Sequence, residues 1–169
     1  AQDQAAEFAA TAAAAAKAME DAARADAQAA AKQAAIDRTA AETLASQQAK
    51  AFSATATEQK TLAESLSGQA VLAAKNVNVT LAESLAVKAQ AAADAAQAAA
   101  NAAMDVALGK GVAALTFART ATSSATDAKG FAGAADAAAE IAANSAQAVS
   151  DWTGGDASAN RLAAVKAAA

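Results

Sequence analysis

Histidine, cysteine, proline and tyrosine are all absent from this chain of 169 residues, and aromatic residues make up only 3 % of it. Each gap excludes something. Without histidine and cysteine, the usual zinc and transition-metal ligand sets cannot be assembled. The same absences remove Ser-His-Asp and Cys-His nucleophilic arrangements. Disulfides are excluded too, so cysteine usage says nothing about compartment. Without proline, nothing of that kind interrupts a helix. Large apolar side chains are few, with one Trp, four Phe and two Met, so a thick globular core is not expected.

What remains is dominated by alanine, which supplies most of the 56 % hydrophobic content. Alanine is the strongest helix former and buries little area, at roughly 0.8 kcal/mol per CH₂-sized group. It also lets helix axes approach toward the lower end of the usual ~8–10 Å range. Helices joined along thin alanine seams are the economical arrangement. Thirteen basic and 17 acidic residues give a net charge of −4, with the basic residues scattered, which argues against nucleic-acid binding. Charges interrupt every alanine tract, and no apolar run approaches the ~20 residues that span a bilayer. The opening Ala1-Gln2-Asp3 fits the product of signal-peptide cleavage, or equally a trimmed chain.

The spacing predicts an all-α fold, an elongated up-down-up bundle of three long helices with a short C-terminal helical segment. Its expected limits are about 2–53, 57–108, 112–152 and 157–168, within a single domain 1–169. In the first helix, Asp3, Glu7, Lys17, Asp21, Arg24, Gln28, Arg38 and Glu42 mark a polar face. Opposite it, Ala5, Phe8, Ala12, Ala15, Met19, Ala22, Ala29, Ile36 and Ala40 recur at steps of 3 and 4, the pattern of a packed seam, with Asp26 and Gln33 intruding. Ser53 to Glu58 reads as a new first turn, with Thr55 and Glu58 forming a capping box. The hexamer Thr61-Leu-Ala-Glu-Ser-Leu66 recurs at Thr80–Leu85, and one recurrence does not make a repeat protein. Between the copies, Asn76-Val77-Asn78-Val79 reads as a continuous or mildly kinked helix, with a full break before Thr80 as the alternative. Downstream, Gln90, Asp94, Gln97, Asn101 and Asp105 oppose a seam of Ala89, Ala92, Ala96, Ala99 and Ala103.

Gly109-Lys110-Gly111 is the clearest helix terminator. Gly130 and Gly133 weaken the third helix and suggest close helix approach or a local break. Thr153-Gly154-Gly155 reads as its end, with Asp156 or Ser158 capping a terminal helix through Leu162 and Val165. Trp152 is expected to pin that terminal segment against the bundle.

No motif supplies chemistry. Glu20 and Asp21 are adjacent, so on a helix they point apart and read as a solvated face. Gly109-Lys110-Gly111 lacks the remaining phosphate-loop positions. Asp151-Trp152-Thr153-Gly154-Gly155-Asp156 fails the ligand alternation of a calcium loop. No catalytic, cofactor-binding or metal-binding residue is therefore assigned, and neither a cofactor nor a small-molecule substrate is expected. Asn78-Val79-Thr80 matches the glycosylation acceptor pattern, which makes Asn78 a candidate modification site.

The Ala5–Ala40 and Ala82–Ala103 seams, the small-residue start at Ala1 and the missing cysteines make the whole chain resemble the alanine-rich surface-coat proteins of trypanosomes, relatives of variant surface glycoproteins. That resemblance implies an extended helical bundle, tethered through a glycolipid after its C-terminus and packed densely on the cell surface. The expected role is a non-enzymatic, secreted or cell-surface coat or spacer, capable of self-association or lateral packing. Bacterial filament subunits and coiled-coil silks share many of these features, so a secreted filament or silk-like subunit is an alternative. A second alternative is an ice-binding protein using an alanine and threonine face. Against it, the 11-residue series Phe8, Met19, Ala30, Ala41 and Phe52 contains no threonine, and its large members read as core.

Overall fold

The computed structural model describes the backbone of residues 2–167 and the surroundings of side chains 3–155. It is all-helical: α1 spans Gln2–Lys75, α2 Val79–Ala107 and α3 Val112–Ala167. Among the described residues there is no strand. The chain falls into two compact units, Ala1–Leu44 and Ala45–Ala169.

In the larger unit three helices pack against one another around a core that is almost entirely alanine. Among the described residues, every buried hydrophobic residue is alanine except Leu66 and Leu85. The burial is periodic. On α1, Ala49, Ala56, Ala63 and Ala70 are 0 % exposed; on α2, Ala82, Ala89, Ala96 and Ala103; on α3, Ala114, Ala121, Ala128, Ala135 and Ala142. Within residues 45–142 each helix thus places at least one alanine per seven residues at full burial. Flanking positions at the same period complete a seam, as with Leu85, Ala92 and Ala99 or Ala86, Ala93 and Ala100 on α2. A strict seven-residue repeat is the geometry of side-by-side, coiled-coil-like packing. Of the expected seams, Ala89 to Ala103 is buried throughout.

The ends of α1 and α2 differ from the expected limits. Helix α1 does not stop at 53. Thr55 and Thr57 donate their hydroxyls to the carbonyls of Ala51 and Ser53 one turn back, and Ser53 and Ala56 are buried. A threonine that back-bonds inside a helix presents the same residues as a cap, so the apparent capping box at Thr55 and Glu58 is interior helix. The break falls at 76–78 instead, where continuity was the favoured expectation. There the Asn78 N–H donates to Ala73 O and the Val77 N–H to Ala74 O, both at 2.9 Å, with Val77 at φ 53°. These are the bonds of a Schellman C-cap, with valine in the left-handed position that glycine normally holds. Asn78 then caps the next helix, its side chain accepting from the Leu81 N–H at 3.2 Å.

The α2–α3 turn is where Gly109-Lys110-Gly111 places it, with Gly109 at φ 70° and Gly111 at φ 102°. Helix α3 does not end at 152; it runs through Gly154 and Gly155 to Ala167, so no separate terminal helix forms over 157–167, and residue 168 lies outside the described residues. Trp152 is 70 % exposed and pins nothing. A Cβ built on Gly130 or Gly133 meets nothing within 4 Å, so neither glycine serves a close helix approach.

In the smaller unit every described residue from Asp3 to Leu44 is exposed. The stripe expected to form a seam there is uncovered, with Phe8 79 %, Met19 74 % and Ile36 61 % exposed. Helicity over this stretch rests on propensity, which suffices for an alanine-rich segment well beyond the ~12–15 residues at which isolated helices are marginal.

Candidate functional site

Among the described residues, the features with functional potential include two surface grooves, one polar cross-link and the turn at Asn78. The polar link joins α1 to α3. The Thr57 and Ser124 hydroxyls lie 3.2 Å apart, and one helical turn on, Lys60 Nζ sits 2.8 Å from Asp127 Oδ2. Both pairs are 67 residues apart in sequence, which fixes a common register. Hydrogen bonding to the Asp127 carboxylate, reinforced by its charge, raises the Lys60 pKa above its ordinary 10.5. Ser124 is buried, so Thr57 satisfies a hydroxyl that would otherwise carry a desolvation cost. Among the described residues no buried side-chain nitrogen or oxygen lacks a partner. The link is structural.

One groove, of about 460 Å³, lies between α2 and α3 and brings Glu83, Asp136 and Glu140 to one surface. No set of three carboxylates among the described residues is arranged to hold a metal ion. A second groove, about 520 Å³, is lined by Val71, Val77, Ala134, Ala138 and Ile141 at the end of α1. Its walls are aliphatic, with Lys75 and Ser145 at hand but no pair of groups able to exchange a proton with a substrate.

Glu20 and Asp21 are exposed, and Glu20 is engaged by Arg24 at 3.0 Å rather than by its neighbour. Asp151 accepts from Gln147 Nε2 at 2.7 Å inside helix α3, so the stretch from 151 to 155 forms no loop; the side chain of Asp156 is outside those described. Asn78 is the one residue singled out from sequence for modification. It lies exposed in the α1–α2 turn, and its cap uses the carboxamide oxygen, not the nitrogen that a glycan would join. The polar link was not anticipated, because nothing in the sequence marks Lys60 and Asp127 as neighbours until α1 and α3 lie side by side.

Threonine hydroxyls are mostly turned inward to their own helices. Thr11, Thr39, Thr43, Thr116, Thr120 and Thr126 each donate to the carbonyl four residues back. Among the described residues no helix is long and apolar enough to cross a membrane. Compared with family models, with curated proteins and with solved structures, the chain matches none.

Proposed function

We propose that this chain is a non-enzymatic structural protein, a narrow helical coat or spacer element displayed outside the cell. The observation that carries the reading is the alanine core: three helices held by methyl groups occupy a small cross-section, which suits dense lateral packing. The acidic balance of the chain limits unwanted aggregation of such a layer. Within residues 45–142 the helices run up, down and up, over ~45 Å at 1.5 Å per residue. The common 67-residue offset between α1 and α3 supports parallel α1 and α3, and the short turns at 76–78 and 108–111 support an antiparallel α2.

The reading includes a glycolipid attachment beyond the C-terminus and a glycan on Asn78, whose exposed turn position and unengaged role for the amide nitrogen in the cap suit modification. Labelling intact source cells with a membrane-impermeant amine reagent, followed by phospholipase treatment, tests the reading. Labelled protein released into the medium is the expected result. Label reaching the protein only after lysis would overturn it. A glycosidase-sensitive shift in mobility that disappears in Asn78→Gln is expected for the modification. Ice binding is the competing role that a bare alanine helix favours; thermal hysteresis with shaped ice crystals would replace the coat reading.

A further inference from the structure

We propose that residues 5–43 form an antiparallel coiled coil with the same segment of a second copy of this chain; the proposal does not depend on the coat reading. The stripe Ala5, Phe8, Ala12, Ala15, Met19, Ala22, Asp26, Ala29, Gln33, Ile36, Ala40, Thr43 keeps the 3 and 4 alternation of a two-stranded seam over its whole length. All of it is exposed, although the same chain buries its other alanine seams against helices. It is also a face of its own. Counting back in sevens from buried Ala49 lands on Glu42, Ala35, Gln28, Asp21, Ala14 and Glu7, so the frame that packs the three-helix core turns polar upstream.

The order of sizes along the stripe selects the partner and its direction. Set two copies antiparallel about Arg24, and Phe8 faces Ala40 of the second copy. In the same register Ile36 faces Ala12, Gln33 faces Ala15, Met19 faces Ala29 and Asp26 faces Ala22. Every large or polar member then meets an alanine, so each knob has room and the axes stay close. A parallel in-register pair instead stacks Phe8 on Phe8, Ile36 on Ile36 and Asp26 on Asp26, which combines overpacking with like-charge repulsion. On one flank Ala9, Ala16, Ala23 and Ala30 are small enough to permit close approach, while Lys17, Arg24 and Arg38 fall on the far side. Opposed helix dipoles add to the preference. About 39 residues at 1.5 Å rise make a strip ~60 Å long and ~10 Å wide, or ~1,200 Å² over both partners. That reaches the lower end of the range for specific, stable interfaces, ~1,200–2,000 Å².

Sedimentation equilibrium of the full chain is expected to show a monomer–dimer equilibrium that Met19→Lys and Ile36→Lys each shift toward monomer by at least about tenfold in Kd, the scale of ~1.4 kcal/mol. Far-ultraviolet circular dichroism of those variants should retain the helical signal, which separates lost association from lost folding. The absence of native cysteine makes direction testable. Under oxidation, a mixture of Ala5→Cys and Thr43→Cys chains should form the mixed disulfide, with little Ala5→Cys homodimer. A chain that stays monomeric at high concentration, a dimer indifferent to both lysines, or preferential Ala5→Cys self-crosslinking would each overturn the proposal.

Discussion

At the scale of single residues, both turns demand a left-handed backbone, which valine supplies at 77 and glycine at 109. Val77 occupies the left-handed region at φ 53°, where a β-branched residue pays about 1–2 kcal/mol. Val77→Gly should therefore stabilise the larger unit by about 1 kcal/mol net of glycine's greater unfolded freedom, measured as a higher urea midpoint with unchanged slope. Gly130 is the converse case: it lies in the interior of α3 with open space where a Cβ would go. Gly130→Ala should stabilise by about 1 kcal/mol, whereas Gly109→Ala, at φ 70°, should destabilise by a comparable amount. The glycines at 109 and 111 were legible as a stop because they follow a helix and precede a new apolar register. Those at 130, 133, 154 and 155 carry the same letter but sit where helical bonds and neighbours continue, and a one-residue signal cannot distinguish the two.

At the scale of the helix, the seam is defined by which alanines have no room around them. Ala96 is fully buried and its neighbour Ala95 is exposed, so Ala96→Leu should cost at least about 1–3 kcal/mol by overpacking while Ala95→Leu stays near neutral, read from thermal melts of both variants. The α1–α3 register is held in part by Lys60 and Asp127. Because the folded pKa of Lys60 is raised, its contribution is full below 10.5 and declines as pH rises through the folded value. Wild-type stability should accordingly fall faster than that of Lys60→Gln in alkaline urea titrations. The α2 seam was readable from Ala89, Ala92, Ala96, Ala99 and Ala103 because polar residues mark its opposite face. On α1, residues 5–40 have the cleaner periodicity, yet within the chain the packed helices meet α1 from Ala45 onward.

At the scale of the molecule, the two compact units predict two tiers of protection within one helix. Hydrogen exchange at a dilution where the chain is monomeric should show fast exchange across 3–44 and slow exchange at the buried positions of 45–75, α2 and α3. Uniform protection along α1 would contradict that division. Alanine content and the missing proline determined, without any tertiary information, that the chain is helical and that its core is thin, and Gly109 and Gly111 determined that a helix ends there. The same composition left no group able to act as a histidine or cysteine catalyst. What only tertiary structure decided was where α1 stops, which alanine stripe is covered and which polar side chains meet across helices. An alanine face has nearly the same free energy in any helical register; the choice comes from a partner helix close enough to exclude water. That partner was supplied for residues 45–142 by the turns at 76–78 and 108–111.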